Sequence, residues 1–358
     1  MVPRANGLHD FESPSRGRCQ MQNIRRTRGP SDRTMNRLIA WAIAVLVVGA
    51  FTIGIIYVLD RYAATPPSIV NQKTTALEEA LRKAPNNLTM RLQLAGAYTA
   101  GQKYDEAVVQ FDQVLTAAAT LENGTGFIKS AHLGRGDALR LKGDLATARA
   151  DYQAIVDVAK DGEFAGQDVE LQAAYFALGT IALAEDKPAD AIDVLNASLR
   201  INKTDADTLH LLGAAYLKNG AADKAVDPIR KAILFVPIGW CEPYTALGQA
   251  YTTLGQADEA AWAGAMSDYC LKTPGDVRPR LEALVVGPAA VDAMVGLGTV
   301  AELDGDRAAA AGWYGKAVAR DPKNFSATSG LARVAEDPNG PAPSAPAVPA
   351  SAAPGGAS

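Results

Sequence analysis

Histidine and cysteine are scarce, three of each in 358 residues. His9, His132 and His210 share no metal-ligand spacing, so no metal site is expected. No G-x-x-x-x-G-K-[ST] loop is present to cradle a phosphate, and no cofactor is expected. Aromatic residues make up only 6%, low for a sheet core, whereas alanine is abundant and suits closely packed helices. Clustered cations are missing from most of the chain. The first 61 residues hold nine Lys/Arg against four Asp/Glu, a charge of +5, which leaves −9 on the remainder. An acidic body of this kind argues against nucleic acid as a partner.

Long uncharged runs are also few, and one stands out. Residues 38–59, "LIAWAIAVLVVGAFTIGIIYVL", carry no charge, and 13 of them are Leu, Ile, Val or Phe. As a helix rising roughly 1.5 Å per residue the run is about 33 Å long, enough to cross the hydrocarbon core. Its insertion is favourable by on the order of 6 kcal/mol. Trp41 and Tyr57 sit near its two ends, where aromatic side chains favour the interface. The apolar region of a cleaved signal peptide is shorter, about 7–15 residues, and ends in a small-residue site that "DRYAATPP" does not supply. The run reads as an uncleaved transmembrane helix. Arg25, Arg26, Arg28, Arg33 and Arg37 precede it closely, against Arg61 and Lys73 after it. The positive-inside rule then puts the N-terminus in the cytoplasm and the rest across a single-pass cytoplasmic (cell) membrane. Residues 1–37 read as a disordered basic cytoplasmic segment, 60–74 as a linker, and the Pro/Ala-rich 337–358 as a disordered tail.

Between linker and tail a pattern repeats. In "LLGAAYLKNGAADKAVDPIRKAILFVP" (211–237) a Leu-Gly pair is followed by Tyr216, Gly220, Ala225, Ala232 and Pro237. The same order recurs around Ala95, Tyr98, Ala107 and Phe111, and around Gly136, Gly143, Ala148 and Tyr152. It returns at Gly179, Ala191 and Leu195, at Gly248, Tyr251, Gly255 and Ala260, and at Gly298, Gly305, Ala310, Tyr314, Ala317 and Pro322. Small residues let two helices approach, a glycine ends the first helix in the left-handed region, and proline stops the second. Val114 and Ile155 stand where the late alanine is expected, and Gly264 stands where an aromatic is expected. Six units start near Leu88, Lys129, Gln172, Ala206, Cys241 and Val291. Long spacings imply insertions, the last within "PGDVRPRLEALVVGPA", with room for a short helix. "TALEEALRKAP" (75–85) reads as a preceding second helix and "FSATSGLARVAE" (325–336) as a closing one.

This pattern resembles the tetratricopeptide repeat (TPR) family. The resemblance implies an all-α chain: an N-terminal transmembrane helix followed by an α-solenoid of about six helical hairpins over 75–336. It also implies a non-enzymatic scaffold whose concave groove holds segments of other proteins. Carried over position by position, the groove candidates are Leu92, Leu133, Arg140, Phe176, His210, Lys218, Gln249 and Thr252. The cations with which some members clamp a C-terminal carboxylate are replaced here by Leu92, Leu133, Gly96 and Asp137, which disfavours an acidic chaperone tail. The expected role is a membrane-anchored adaptor or assembly factor outside the cytoplasm. The alternative is a stable accessory subunit of a membrane enzyme or transport complex, using the small-residue faces Ala40/Ala44 and Ala50/Gly54. Cys241 begins one helix and Cys270 ends the next, so the hairpin brings them together. Two readings stand for them, a disulfide or two buried free thiols.

Overall fold

Short polar side chains start several helices. Asn87, Asp144, Asp168 and Asp306 each accept from backbone N–H groups two or three residues on, satisfying donors that a first turn leaves unpaired. The computed structural model describes Trp41 and residues 69–235, 240–273 and 275–336. Among these residues there are fifteen α-helices and no strand. A single helix, α1 (Ile69–Lys83), comes first. Five hairpins follow: α2 (Leu88–Ala100) with α3 (Tyr104–Ala118), α4 (Thr125–Lys142) with α5 (Leu145–Ala159), α6 (Val169–Ala184) with α7 (Pro188–Ile201), α8 (Ala206–Lys218) with α9 (Ala222–Phe235), and α10 (Glu242–Thr253) with α11 (Ala257–Cys270). The short α12 (Arg278–Glu282) precedes a sixth hairpin, α13 (Ala290–Leu303) with α14 (Arg307–Arg320), and α15 (Phe325–Glu336) closes the array. Every helix packs against the next, as in a solenoid.

Glycines in the first helices set how closely the hairpins pack. A Cβ on Gly136, Gly179, Gly213 or Gly298 would come within 3.0 Å of Tyr152, Leu195, Ile229 or Tyr314 respectively. Those four partners are the buried wedges of their hairpins, each 1% exposed or less. The hairpin turns use the left-handed region at one position each. Gly143, Gly220, Gly255 and Gly305 occupy it with φ of 95°, 75°, 71° and 85°. The first and third hairpins place Gln102 and Asp186 there instead, at φ 60° and 57°.

Several expectations need adjustment. The linker expected over 60–74 is too long, because α1 is already helical from Ile69. Thr74 is buried and its hydroxyl donates to the Val70 carbonyl at 2.8 Å, as a residue inside a helix does. Ala260 is half-buried, and Ala263 and Ala265 are the fully buried alanines of α11. The insertion before the sixth repeat does hold a short helix, α12, whose Leu281 is fully buried. Of the expected membrane span only Trp41 lies among the described residues, and the basic segment, the tail and Pro237 lie outside them. No helix among the described residues is long and apolar enough to cross a membrane.

At the C-terminal end a buried charge fastens the closing helix. Glu302 is fully buried and accepts from Tyr314 Oη at 2.9 Å and from Arg333 Nε and Nη2 at 2.7 and 2.8 Å. Burial alone would raise its carboxyl, but the hydrogen bonds from Arg333 and Tyr314 outweigh this and hold it below its ordinary range.

Candidate functional site

The first helices of successive hairpins touch. α2 packs on α4, α4 on α6, α6 on α8 and α8 on α10, so one face of the array is built from first helices alone. The eight candidate residues are spread along these helices. Leu92, Leu133 and Phe176 are half-buried against the cores of the first three repeats. Arg140 lies 3.8 Å from Asp137, whose carboxylate accepts from Tyr152 Oη at 2.8 Å. Lys218 reaches back to the preceding repeat, donating to Asp186 at 3.0 Å and to the Leu183 carbonyl at 3.1 Å. His210 stacks edge-on against Trp240 with centroids 5.1 Å apart, and its Nδ1 is buried without a hydrogen-bond partner. Burial pushes its imidazole below the ordinary histidine value, while the charge of Glu242 pulls weakly the other way.

Gln249 and Thr252 come together with other residues. They line a cleft of about 520 Å³ between α10 and α11, with Tyr244, Thr245, Gly248, Gly264, Ser267 and Asp268 among its walls. Thr245 and Ser267 hydroxyls meet across it at 2.8 Å, and Asp268 accepts from Arg280 of α12 at 2.5 Å. Gly264 was legible as a departure from the repeat. The space it opens depends on Gly248 lying opposite, which only the packed hairpin reveals.

Two polar clusters were not anticipated. Between α3 and α5 the buried Asp151 accepts from His132 at 2.8 Å and from Arg135, and Arg135 also pairs with Asp112. Burial would raise the Asp151 carboxyl, yet the hydrogen bonds from His132 and Arg135 hold it below the usual range. Farther along, a second cavity of about 150 Å³ is lined by Arg230, Trp262, Asp292, Thr299, Phe325 and Arg333 among others. Their signal in the sequence is weak, because charged residues at these spacings resemble any solvated helix face.

Cys241 and Cys270 are joined by a disulfide, with Cα atoms 5.4 Å apart, which staples the two ends of the fifth hairpin. Of the two readings left by the sequence, this structure contains the bonded one.

The match to a sequence family agrees with this architecture. The sequence model of the tetratricopeptide repeat matches residues 75–123, 116–167 and 279–336. No curated protein matches. Among solved structures, the chain is similar to the C-terminal part of a TPR repeat-containing protein from Cytophaga hutchinsonii, at 20% identity over 72% of this chain and 93% of that one, with a TM-score of 0.42. It is also similar to MamA, at 23% identity over 53% and 96% with a TM-score of 0.43. A third is YrrB, described as a TPR protein with an unusual peptide-binding site, at 15% identity over 58% and 97% with a TM-score of 0.43. Six helical hairpins in series and left-handed turns in register accompany three matches to the tetratricopeptide repeat, so the chain carries tetratricopeptide repeats.

Proposed function

We propose that this chain is a non-enzymatic scaffold, anchored by residues 38–59, that holds segments of partner proteins on the outer side of the cytoplasmic membrane as an adaptor or assembly factor. The carrying observation is the row of first helices from α2 to α10, along which Lys218, Gln249 and Thr252 remain exposed and Arg140, Phe176 and His210 half-exposed. A long face of mixed character suits an extended segment better than a compact reactant. The charge-free run and the five arginines before it support the anchor and its orientation. The Cys241–Cys270 bond supports an oxidising compartment, where disulfides persist.

The test is photo-crosslinking of the full chain in intact membranes. A benzophenone side chain at Arg140, Lys218 or Thr252 is expected to capture partner protein, and one at Asp193 of α7 or Lys231 of α9, both exposed on second helices, is not. Crosslinks confined to the second helices would defeat the groove reading. Salt extraction separates the two roles: an adaptor's partners leave as ionic strength rises, whereas a constitutive subunit co-purifies in fixed ratio throughout. Topology is checked with a membrane-impermeant reagent at a cysteine replacing Lys103, which should react in intact cells.

A further inference from the structure

The fifth hairpin leaves unfilled a place that the other five fill for themselves. α3, α5, α7, α9 and α14 wedge Phe111, Tyr152, Leu195, Ile229 and Tyr314 against the neighbouring first helices, each 3% exposed or less. α11 carries Gly264 at that place, and the facing residue of α10 is Gly248. A Cβ on Gly248 would meet Ala263 and Gly264 only at 4.0 Å, and one on Gly264 would meet only Arg280, at 3.7 Å. At the matching glycines of the second, third, fourth and sixth repeats the same atom would collide within 3.0 Å. The missing wedge leaves an open cleft of about 520 Å³ along α10 and α11. It exceeds a single side chain, so backbone on either side also has room. The rim is exposed and polar at Thr245, Gln249 and Thr252.

Charge narrows the occupant. Residues 241–282 hold six carboxylates against Lys272, Arg278 and Arg280, a net charge of −3, and within the cleft Asp268 is paired with Arg280. A cationic segment is therefore attracted and an acidic one repelled. We propose that this slot receives one large apolar side chain, of the Phe, Tyr, Leu or Ile kind, from a basic extended segment of another protein, which completes the fifth hairpin from outside. The shape is specified by the residues that the sister hairpins place there, and the flanking charge by the net negative surroundings of the fifth hairpin. The chain's own residues 337–358 do not match, since they hold no aromatic residue, no Lys or Arg, and Val348 as their one branched aliphatic residue. The inference rests on the scaffold reading above and assigns it to one repeat.

The test uses the full chain in detergent micelles and a peptide series, acetyl-Lys-Ser-Xaa-Ser-Lys-amide, with Xaa as Ala, Leu or Phe, and a Glu-flanked Phe control. Binding is followed through the backbone amide resonances of Gly248 and Gly264. The Leu and Phe peptides should shift both amides, with the Ala peptide and the Glu-flanked control at least tenfold weaker. Gly264→Leu supplies the wedge internally, so it should melt no lower than the parent and lose at least tenfold in affinity. Gln249→Trp, at an exposed rim position, should obstruct entry in the same way and serves if Gly264→Leu does not fold. Equal binding whatever Xaa is, or binding undiminished in both variants, overturns the slot. The groove reading then stands or falls separately on the crosslinks from Arg140 and Lys218. Dimerisation of the parent chain that Gly264→Leu abolishes, without peptide binding, overturns it in favour of a second copy as occupant.

Discussion

Arg230 and Asp292, 62 residues apart, form a two-bond ion pair at 2.7 and 2.8 Å that ties the fourth repeat directly to the sixth. Arg230 also donates to Tyr251 Oη at 3.0 Å and lies over the Trp262 ring at 5.6 Å. In a stacked array, interactions normally join neighbours only. This pair spans the fifth repeat, touching Tyr251 and Trp262 between its two ends.

Arg230→Met should therefore loosen the last three helices more than the rest. Asp292 would keep its partial burial without its partner, at a cost of about 1–2 kcal/mol after allowance for solvent screening at the arginine. Hydrogen exchange should accelerate first in α13, α14 and α15, with α2 to α9 unchanged. Uniform acceleration would mean that the pair does not couple the two parts.

The hairpin turns offer a gain in stability. Gln102 sits at φ 60° where four sister turns have glycine, and Gln102→Gly should stabilise by about 0.5–1 kcal/mol by relieving the left-handed strain. Gly220→Ala, the converse change at φ 75°, should destabilise by about 1 kcal/mol. Urea midpoints of the two variants should move in opposite directions.

The Cys241–Cys270 bond closes a loop with a sequence separation of 29. Replacing both cysteines by serine should cost about 3–4 kcal/mol, chiefly by freeing the unfolded chain. Alkylation of the denatured chain before reduction should label Cys19 alone, and after reduction all three cysteines. Three labels without reduction would show free thiols.

Stability should respond to pH in two separate steps. Burial lowers His210 below its ordinary 6.5, so the unfolded chain takes up this proton first. Its contribution is complete above about pH 6.5 and is lost as pH falls below that value. Asp151 and Glu302 are held below their ordinary 3.8 and 4.5, so their contributions are full above those values and vanish only in more acid solution. Melting temperatures between pH 8 and 3 should show both steps, and His210→Gln should remove only the upper one. A single acid step in the parent chain would exclude the histidine.

The repeat was open to reading because its rules are local. Leu-Gly pairs, turn glycines and evenly spaced alanines each report one helix or one crossing, so Gly136, Gly220 and Ala225 located their hairpins without knowledge of their neighbours. The start of α1 was missed because "IVNQKT" carries weak periodicity, and it is helical through its contact with α2. The groove candidates were placed on the proper helices, yet their surroundings were hidden. Lys218 finds Asp186 and His210 finds Trp240 only when successive repeats stack.

The sequence by itself determined the number of hairpins, their order and their turns, because these depend on propensity and steric fit over a few residues. The tertiary structure alone decided where the array binds itself and where it leaves room: Arg230 on Asp292, Glu302 under Arg333, and the gap between Gly248 and Gly264. Those features arise from distances between residues far apart in the chain, and no local pattern encodes them.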